Sequence, residues 1–72
     1  MRIKRDTEYL KKVGGSIKAA RMDRKLSVRK LAELCLLDYS CLNRAENGQY
    51  SIRVLTLKRI ADSMGMDAKN FL

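Results

Sequence analysis

The sequence predicts an all-α fold in one domain, residues 1–72, and three observations support this prediction. Apolar residues recur at spacings of three and four along most of the chain, which is the one-face pattern of amphipathic helices. There is no proline and there are only four glycines, so nothing indicates a linker or a second domain. The apolar residues are mostly Leu, Ile, Val, Ala and Met, with three Tyr, one Phe and no Trp, as suits a helical core.

The first helix is predicted over residues 7–23. The apolar residues on its inner face are Tyr9, Leu10, Val13, Ile17 and Ala20. Gly14 and Gly15 lie inside this segment, and each costs up to about 1 kcal/mol relative to alanine in a helix. The pattern therefore leaves two starts open, one near Thr7 and one near Gly15.

Two successive helix starts give the clearest local pattern. In residues 26–31 and again in residues 37–42, a leucine is followed by a capping residue, Ser27 or Asp38, and a second leucine lies four residues later. The capping side chain can accept from free N–H groups of a new helix, and the flanking leucines form a hydrophobic staple. Because the caps are eleven residues apart, a helix, a three-residue turn and a second helix fit between residues 27 and 47. This is helix-turn-helix spacing.

The rest of the chain is predicted to contain two more helices. The third helix runs to Asn47 and stops at Gly48, and a loop follows over residues 49–52. The fourth helix places on one stripe Val54, Leu57, Ile60, Ala61 and Met64. It ends at Gly65, and Asp67 can cap a last helical turn over residues 68–72, so five helices result.

The charge balance favours an anionic partner. Sixteen Lys and Arg against eight Asp and Glu give a net charge of +8. Polyanions are attracted to such a chain, although composition alone fits a basic, merely solvated surface equally well. The positions of individual residues have to distinguish these two possibilities.

Other protein classes are disfavoured. There is no histidine, no glycine-rich phosphate loop and no paired carboxylates in a recognisable frame, so an enzyme is not expected. Cys35 and Cys41 cannot assemble a zinc site in one chain, and Cys35 is expected in the core. No apolar run approaches the roughly 20 residues that span a bilayer, and no signal-type apolar region follows the charged residues 1–6. We expect a cytoplasmic protein without cofactor, metal or evident small-molecule ligand.

The third helix is the expected DNA-reading element, because the second helix of a helix-turn-helix points its N-terminal side chains into the major groove. Its inward face carries Leu42 and Ala45, and its outward residues are Tyr39, Ser40, Asn43, Arg44 and Asn47. Arg44 can pair with guanine, Asn43 with adenine, and Tyr39 can contact a thymine methyl group or a phosphate. An ordinary solvated face is the alternative, and the preceding turn pattern favours base reading.

Contacts to the DNA backbone are expected near the start of helix 2, since free N–H groups and Arg29 favour a phosphate there. The full candidate set is Ser27, Arg29, Lys30, Asp38, Asn47 and Lys18. Arg53 and Lys58 could add contacts, although each surface cation is as often only solvated.

From residue 15 to residue 72 the chain resembles the Cro and phage-repressor (XRE-like) helix-turn-helix family. The matching segments are IKAAR (17–21), LSVRKLAE (26–33), LDYSCLNRAENG (37–48) and IADSMGM (60–66). The resemblance implies a compact five-helix, lambda-repressor-like domain that binds palindromic double-stranded DNA as a homodimer. The base contacts that it implies fall on Tyr39, Ser40, Asn43 and Arg44. It also implies an ion pair between Arg21 and Glu46, and backbone contacts around Asn47.

Three positions depart from the usual family pattern. Val28 stands where a phosphate-bonding glutamine is usual, and Ile52 replaces the usual proline. Leu36 occupies a turn position usually given to glycine, where a left-handed backbone would cost about 1 kcal/mol or more. The run SIRVLTL over residues 51–57 is more similar to restriction-modification controller proteins, which are the second identification within the same function.

The sequence therefore favours a transcriptional regulator, expected to be a repressor, that acts as a homodimer. The candidate dimer residues are Leu55, Met66, Phe71 and Leu72, because so apolar a C-terminus would otherwise be exposed. The alternative is an antitoxin or another protein-binding module that uses DNA only for autoregulation. RNA binding ranks lower because stacking aromatic residues are scarce.

Overall fold

The structure, a computed structural model, describes the backbone of residues 3–72 and the side chains of residues 6–72. Its elements in chain order are α1 (Ile3–Asp23), α2 (Val28–Cys35), α3 (Tyr39–Glu46), α4 (Val54–Ser63) and a final 3-10 helix (Ala68–Phe71). The described residues contain no strand, so the predicted all-α class is confirmed, with a 3-10 helix as its fifth element. The single-domain prediction also includes residues 1 and 2, which lie outside the described part.

Helix α1 begins earlier than either start expected from the sequence. It runs from Ile3 through both glycines to Asp23, a length of 21 residues. The glycines do not end it because Val13 and Ile17, on either side of them, both pack on the core. Packing of an apolar face stabilises a helix more than intrinsic propensity does, and here it offsets the two glycines.

Two of the three predicted caps are present as hydrogen bonds. Ser27 accepts from the Lys30 N–H at 3.0 Å at the start of α2, and Asp67 accepts from the Lys69 N–H at 3.3 Å before the final helix. Asp38 precedes α3 as predicted, but its side chain makes no capping hydrogen bond. Its carboxylate instead accepts a hydrogen bond from the Ser40 hydroxyl. The predicted start of α3 is therefore confirmed, whereas the predicted capping hydrogen bond from the Asp38 side chain is wrong.

One hydrophobic core joins all five elements. Helix α2 packs on α3 and α4, and α1 packs on α3 and on the final 3-10 helix. The buried members are Ile17, Leu31, Ala32, Cys35, Leu42, Leu57, Ile60, Ala61, Met64 and Phe71. The cluster includes Cys35, which the sequence placed in the core.

Three residues lie on the side opposite to the one predicted, and the first is Tyr9, which was expected on the inner face of helix 1 but is 51% exposed. Phe71 was expected in a dimer surface, but it is only 1% exposed, because the final helix packs on both α1 and α4 and turns this ring into the core. Val54 was expected on the buried stripe of α4, but it is 81% exposed. It is the first residue of α4, and the core contacts of that helix begin at Leu57.

Neither cysteine takes part in a disulfide. Burial raises the pKa of the Cys35 thiol, so this group stays protonated at neutral pH and packs as an apolar side chain. Among residues 3–72, no helix combines the length and apolar character that a membrane crossing needs. The same residues contain no cluster of three or more potential metal ligands.

Candidate nucleic-acid interface

The turn between α2 and α3 spans residues 36–38 and depends on Leu36. This residue has φ 59° and ψ 41°, the left-handed conformation that the sequence indicated would be costly for leucine. Its N–H donates to the Glu33 carbonyl at 3.2 Å, and the Leu37 N–H donates to the Ala32 carbonyl at 2.8 Å. These hydrogen bonds satisfy the last carbonyl groups of α2 and close the turn, so that α3 packs against α2.

The inner side of α3 is fixed by both apolar and ionic contacts. Leu42 and Ala45 are buried, as predicted. The side chains of Arg21 and Glu46 also meet, as the family resemblance implied. The Arg21 guanidinium donates from Nε to Glu46 Oε2 at 2.7 Å and from Nη2 to Oε1 at 3.0 Å. Its Nη1 donates to the Leu26 carbonyl at 2.7 Å, so one side chain ties α1 to α3 and to the segment before α2.

The outer side of α3 carries the residues predicted to read bases. Tyr39, Ser40 and Arg44 are exposed, whereas Asn43 is half-buried. Asn47, which follows α3 as its C-cap, is exposed as well. The structure therefore exposes four of the five outward residues, three on α3 and one at its C-cap, and leaves Asn43 partly covered.

Asp38 does not suit the backbone contact predicted for it. The hydrogen bond from the Ser40 hydroxyl is the main reason why the pKa of the Asp38 carboxyl lies below its ordinary value. The group is therefore ionised at neutral pH, and an ionised carboxylate repels a phosphate. Asp38 instead orients the Ser40 hydroxyl, whose hydrogen is already donated while its oxygen can still accept.

The remaining backbone candidates are all exposed and lie on three elements. Lys18 is on α1, Asn47 follows α3, and the other three lie at the start of α2: Ser27, Arg29 and Lys30. Lys30 Nζ lies 3.9 Å from Glu33 Oε1, an exposed pair that contributes little and leaves the ammonium free to move to a phosphate.

Of the two further cations, Arg53 is exposed and precedes α4, whereas Lys58 already donates to Asp62 at 2.9 Å.

One contact at this surface was not predicted. The guanidinium carbon of Arg29 lies 4.6 Å from the centroid of the Tyr39 ring. The two residues belong to different helices. Arg29 was predicted to contact a phosphate, whereas Tyr39 was predicted to contact a base. No spacing rule within a helix relates residues on either side of a turn, so the sequence pattern held no indication of this pair.

The family comparison covers most of this surface. The profile of the helix-turn-helix family HTH_3 matches residues 17–69, which is more than half of the chain. The matched segment includes the whole of α2, α3 and α4 and the residues of the Arg21–Glu46 pair. No curated protein sequence matches the chain closely enough to be counted as a relative.

Several solved structures share the fold. The restriction-modification controller protein C.AhdI from Aeromonas hydrophila has a TM-score of 0.85 and 25% identity, over 88% of this chain and 96% of its own. An HTH_3 family transcriptional regulator from Vibrio cholerae has a TM-score of 0.86 and 26% identity, over 92% of this chain and 37% of its own. The clp gene regulator ClgR from Corynebacterium glutamicum, at 19% identity and a TM-score of 0.84, covers 88% of this chain and 67% of its own and shows the fold alone.

Proposed function

Because this chain belongs to the HTH_3 helix-turn-helix family of DNA-binding regulators, we propose that it recognises one specific double-stranded DNA sequence and controls transcription there. It acts as a homodimer on a palindromic operator, and its binding represses transcription. Residues 1–72 form a single DNA-binding domain in this proposal, since α1 packs on both α3 and the last helix.

One observation supports the proposal most directly: the inner face of α3 is fixed by contacts with the rest of the domain, and its outer face is exposed. Leu42 is fully buried, and Glu46 is bound by two hydrogen bonds from Arg21. On the opposite side, Tyr39 and Arg44 are exposed. A helix that reads base edges needs a fixed position relative to the domain and a free outer face, and α3 has both.

Each outer residue has a contact that fits its chemistry. Arg44 can donate two parallel hydrogen bonds to guanine O6 and N7, and the Asn43 amide can pair with adenine. Tyr39 offers its ring to a thymine methyl group, and the Ser40 oxygen can accept from a base amino group. A good bidentate contact discriminates between bases by about 1 to 3 kcal/mol.

Phosphate contacts come from the exposed cations and hydroxyls around α3. Ser27 uses an oxygen lone pair to cap α2, so its hydroxyl hydrogen is available to a phosphate. The other donors in this proposal are Arg29, Lys30, Lys18 and Asn47. The net charge of +8 supports such contacts, because it attracts the protein to the DNA backbone.

The homodimer is supported by apolar surface that the chain itself leaves uncovered. Leu55 is 76% exposed and Leu72 is 57% exposed. Val54, which was predicted to be buried, adds to the exposed apolar residues, and it lines one open groove together with the half-buried Met66. Burial of these residues between two copies of the chain would remove them from water and stabilise the dimer. A helix-turn-helix dimer contacts two half-sites about one DNA turn, roughly 34 Å, apart.

The test is the selection of bound sequences from random duplex DNA with the wild-type chain and two variants. We expect Arg44→Ala to relax the preference at one base pair of each half-site, and Lys30→Ala to weaken binding to all duplexes about equally. If Arg44→Ala leaves the selected motif unchanged, α3 is not the reading helix.

The salt dependence and the mass of the complex test the remaining parts. A dimer with about 6 to 10 phosphate contacts should lose about 10³- to 10⁵-fold in affinity between roughly 50 and 200 mM salt. Sedimentation should show a dimer for the wild-type chain and a monomer for Leu55→Glu. Expression of a reporter gene placed behind the selected site should fall when the protein is produced. A flat salt response would argue against DNA as the partner.

A further inference from the structure

The contact between Arg29 and Tyr39 links two parts of the interface that are otherwise separate. Arg29 lies in the first turn of α2, and Tyr39 is the first residue of α3. Their separation of 4.6 Å from guanidinium carbon to ring centroid is within the range of about 6 Å for a cation–π contact. Both residues are exposed, so the pair forms on the surface that faces DNA in the proposed function.

We propose that Arg29 is a positioning residue for base recognition: its guanidinium, which lies over the Tyr39 ring, holds that ring toward the DNA and links the base contact of the ring to a phosphate. This inference rests on the proposed function and adds a specificity determinant outside α3.

Tyr39 needs such a restraint because of its place in the helix. A side chain on a helix leans back over the preceding turn, which normally limits its rotamers. Since Tyr39 is the first residue of α3, no preceding turn of that helix lies beneath it. Tyr39 is 40% exposed and borders an open cleft between α2 and α3, also lined by Arg29 and Glu33. The guanidinium of Arg29, which belongs to α2, lies over the Tyr39 ring and limits the rotamers that the ring can adopt.

Arg29 can stack and bind a phosphate at the same time. Stacking uses the flat face of the guanidinium, whereas its five N–H donors point outward in the plane. Among the described side chains, those of residues 6–72, no carboxylate pairs with Arg29, so these donors are free for a DNA phosphate. The neighbouring Val28 cannot take this role, because it is apolar, half-buried and packed against the core.

The consequence is that loss of Arg29 should change sequence preference as well as affinity. A phosphate that fixes the guanidinium also fixes the ring stacked on it, so the two contacts form together. An exposed cation–π contact corresponds to about a two- to fivefold effect on an equilibrium constant. We expect a change of that size in the discrimination at the base pair that Tyr39 contacts.

The experiment begins from the duplex selected by the wild-type protein and finds the base pair whose preference Tyr39→Ala abolishes. Affinities are then measured for that duplex and for duplexes changed only at that pair. Arg29→Ala should reduce the discrimination about two- to fivefold and also weaken binding to every duplex. Arg29→Lys should recover most of the lost affinity but not the discrimination, because an ammonium is a point charge rather than a plane.

Lys30→Ala is the matched control, since it removes the adjacent cation and should weaken binding to all these duplexes without changing their ratio. If Arg29→Ala behaves in the same way as Lys30→Ala, Arg29 is a phosphate contact only and the inference is wrong. The proposed function would still stand if Arg44→Ala changed the selected motif. If Tyr39→Ala abolishes no preference, there is no base contact for Arg29 to position, and the inference also fails.

A measurement without DNA tests the contact itself. A proton above an aromatic ring is shifted upfield, so the Arg29 δ-methylene resonances should move downfield in Tyr39→Leu and stay in place in Lys30→Ala. Circular dichroism should show the same helix content in all variants. Unshifted Arg29 protons in the wild-type chain would overturn the inference whatever the DNA measurements show.

Discussion

Gly14 of α1 packs directly against the backbone of Ala45 in α3. A Cβ atom on residue 14 would overlap the Ala45 carbonyl oxygen and would lie 2.7 Å from the carbonyl oxygen of Glu46. The obstructing atoms are backbone, which cannot rotate aside as a side chain can. This contact therefore fixes how closely α1 approaches the end of α3, and with it the position of the outer face of α3.

Gly14→Ala should destabilise the protein, and the adjacent Gly15→Ala should stabilise it. Both changes gain about 1 kcal/mol in helix propensity. At residue 14 the clash with Ala45 outweighs that gain, because overpacking a close contact costs typically about 1 to 3 kcal/mol. At residue 15 an added Cβ meets nothing within 4 Å. Urea unfolding of the two variants measures the change in the free energy of unfolding for each. Equal changes would show that α1 and α3 do not touch at Gly14.

Removal of either partner of the Arg21–Glu46 pair should cost more stability than any surface change. The two side chains are only 10% and 3% exposed. Loss of one partner leaves the other charge buried without compensation, a cost of about 3 to 5 kcal/mol. We expect this for Glu46→Ala in thermal or urea unfolding, with exposed Asp62→Ala near zero as the control.

The double variant Arg21→Met with Glu46→Leu separates a buried charge from a lost contact. An apolar pair of similar volume can replace a buried ion pair with little loss. The double variant should therefore be more stable than Glu46→Ala, although the hydrogen bond from Arg21 to the Leu26 carbonyl is also lost. A double variant less stable than Glu46→Ala would mean that the pair does more than neutralise charge.

Leu36→Gly should stabilise the protein by up to about 1 kcal/mol. The left-handed conformation costs leucine about 1 to 2 kcal/mol, and glycine adopts it without strain. Glycine loses more backbone entropy on folding than leucine does, but this cost is smaller than the strain that is removed. Leu36 is 82% exposed, so little burial is lost. Leu34→Gly is the matched control, since Leu34 is also exposed but lies inside α2. That change should destabilise by about 1 kcal/mol. A loss of stability in both variants would show that the Leu36 side chain itself stabilises the turn.

The hydrogen bond from Ser40 to Asp38 should be visible in a titration. Because the pKa of Asp38 is lower in the folded chain, its contribution to stability is present above the unfolded pKa of about 3.9 and is lost as the pH falls through the folded value. Ser40→Ala should raise the Asp38 pKa and lower stability at pH 7, and the difference in stability should vanish in acid. NMR titration of the carboxyl group measures the first effect.

Ser16→Ala is the control for that titration, because the Ser16 hydroxyl donates to the Lys12 carbonyl and to no carboxylate. It should leave the Asp38 pKa unchanged. If Ser40→Ala leaves the Asp38 pKa unchanged, the lowered pKa comes instead from hydrogen bonds with the α3 backbone and from the charge of Arg44.

Much of the helix-turn-helix could be predicted because the patterns that define it are local. Ser27 caps a helix through an N–H group three residues away, and Leu42 follows the predicted cap residue Asp38 by four residues. The exposed positions of Tyr39 and Arg44 then follow from helix geometry. The Arg21–Glu46 pair joins residues 25 apart, and it was expected only through the family resemblance.

The amino-acid sequence by itself determined where α2 and α3 begin, which of their residues face inward, and the basic charge of the chain. Only the tertiary structure decided that Phe71 is buried and Val54 is exposed, that α1 continues through its two glycines, and that the Arg29 guanidinium lies over the Tyr39 ring. The physical reason is range. Caps and periodicity act over three or four residues, whereas these outcomes depend on where separate helices meet, and a helix cannot indicate from its own residues which neighbour will cover it.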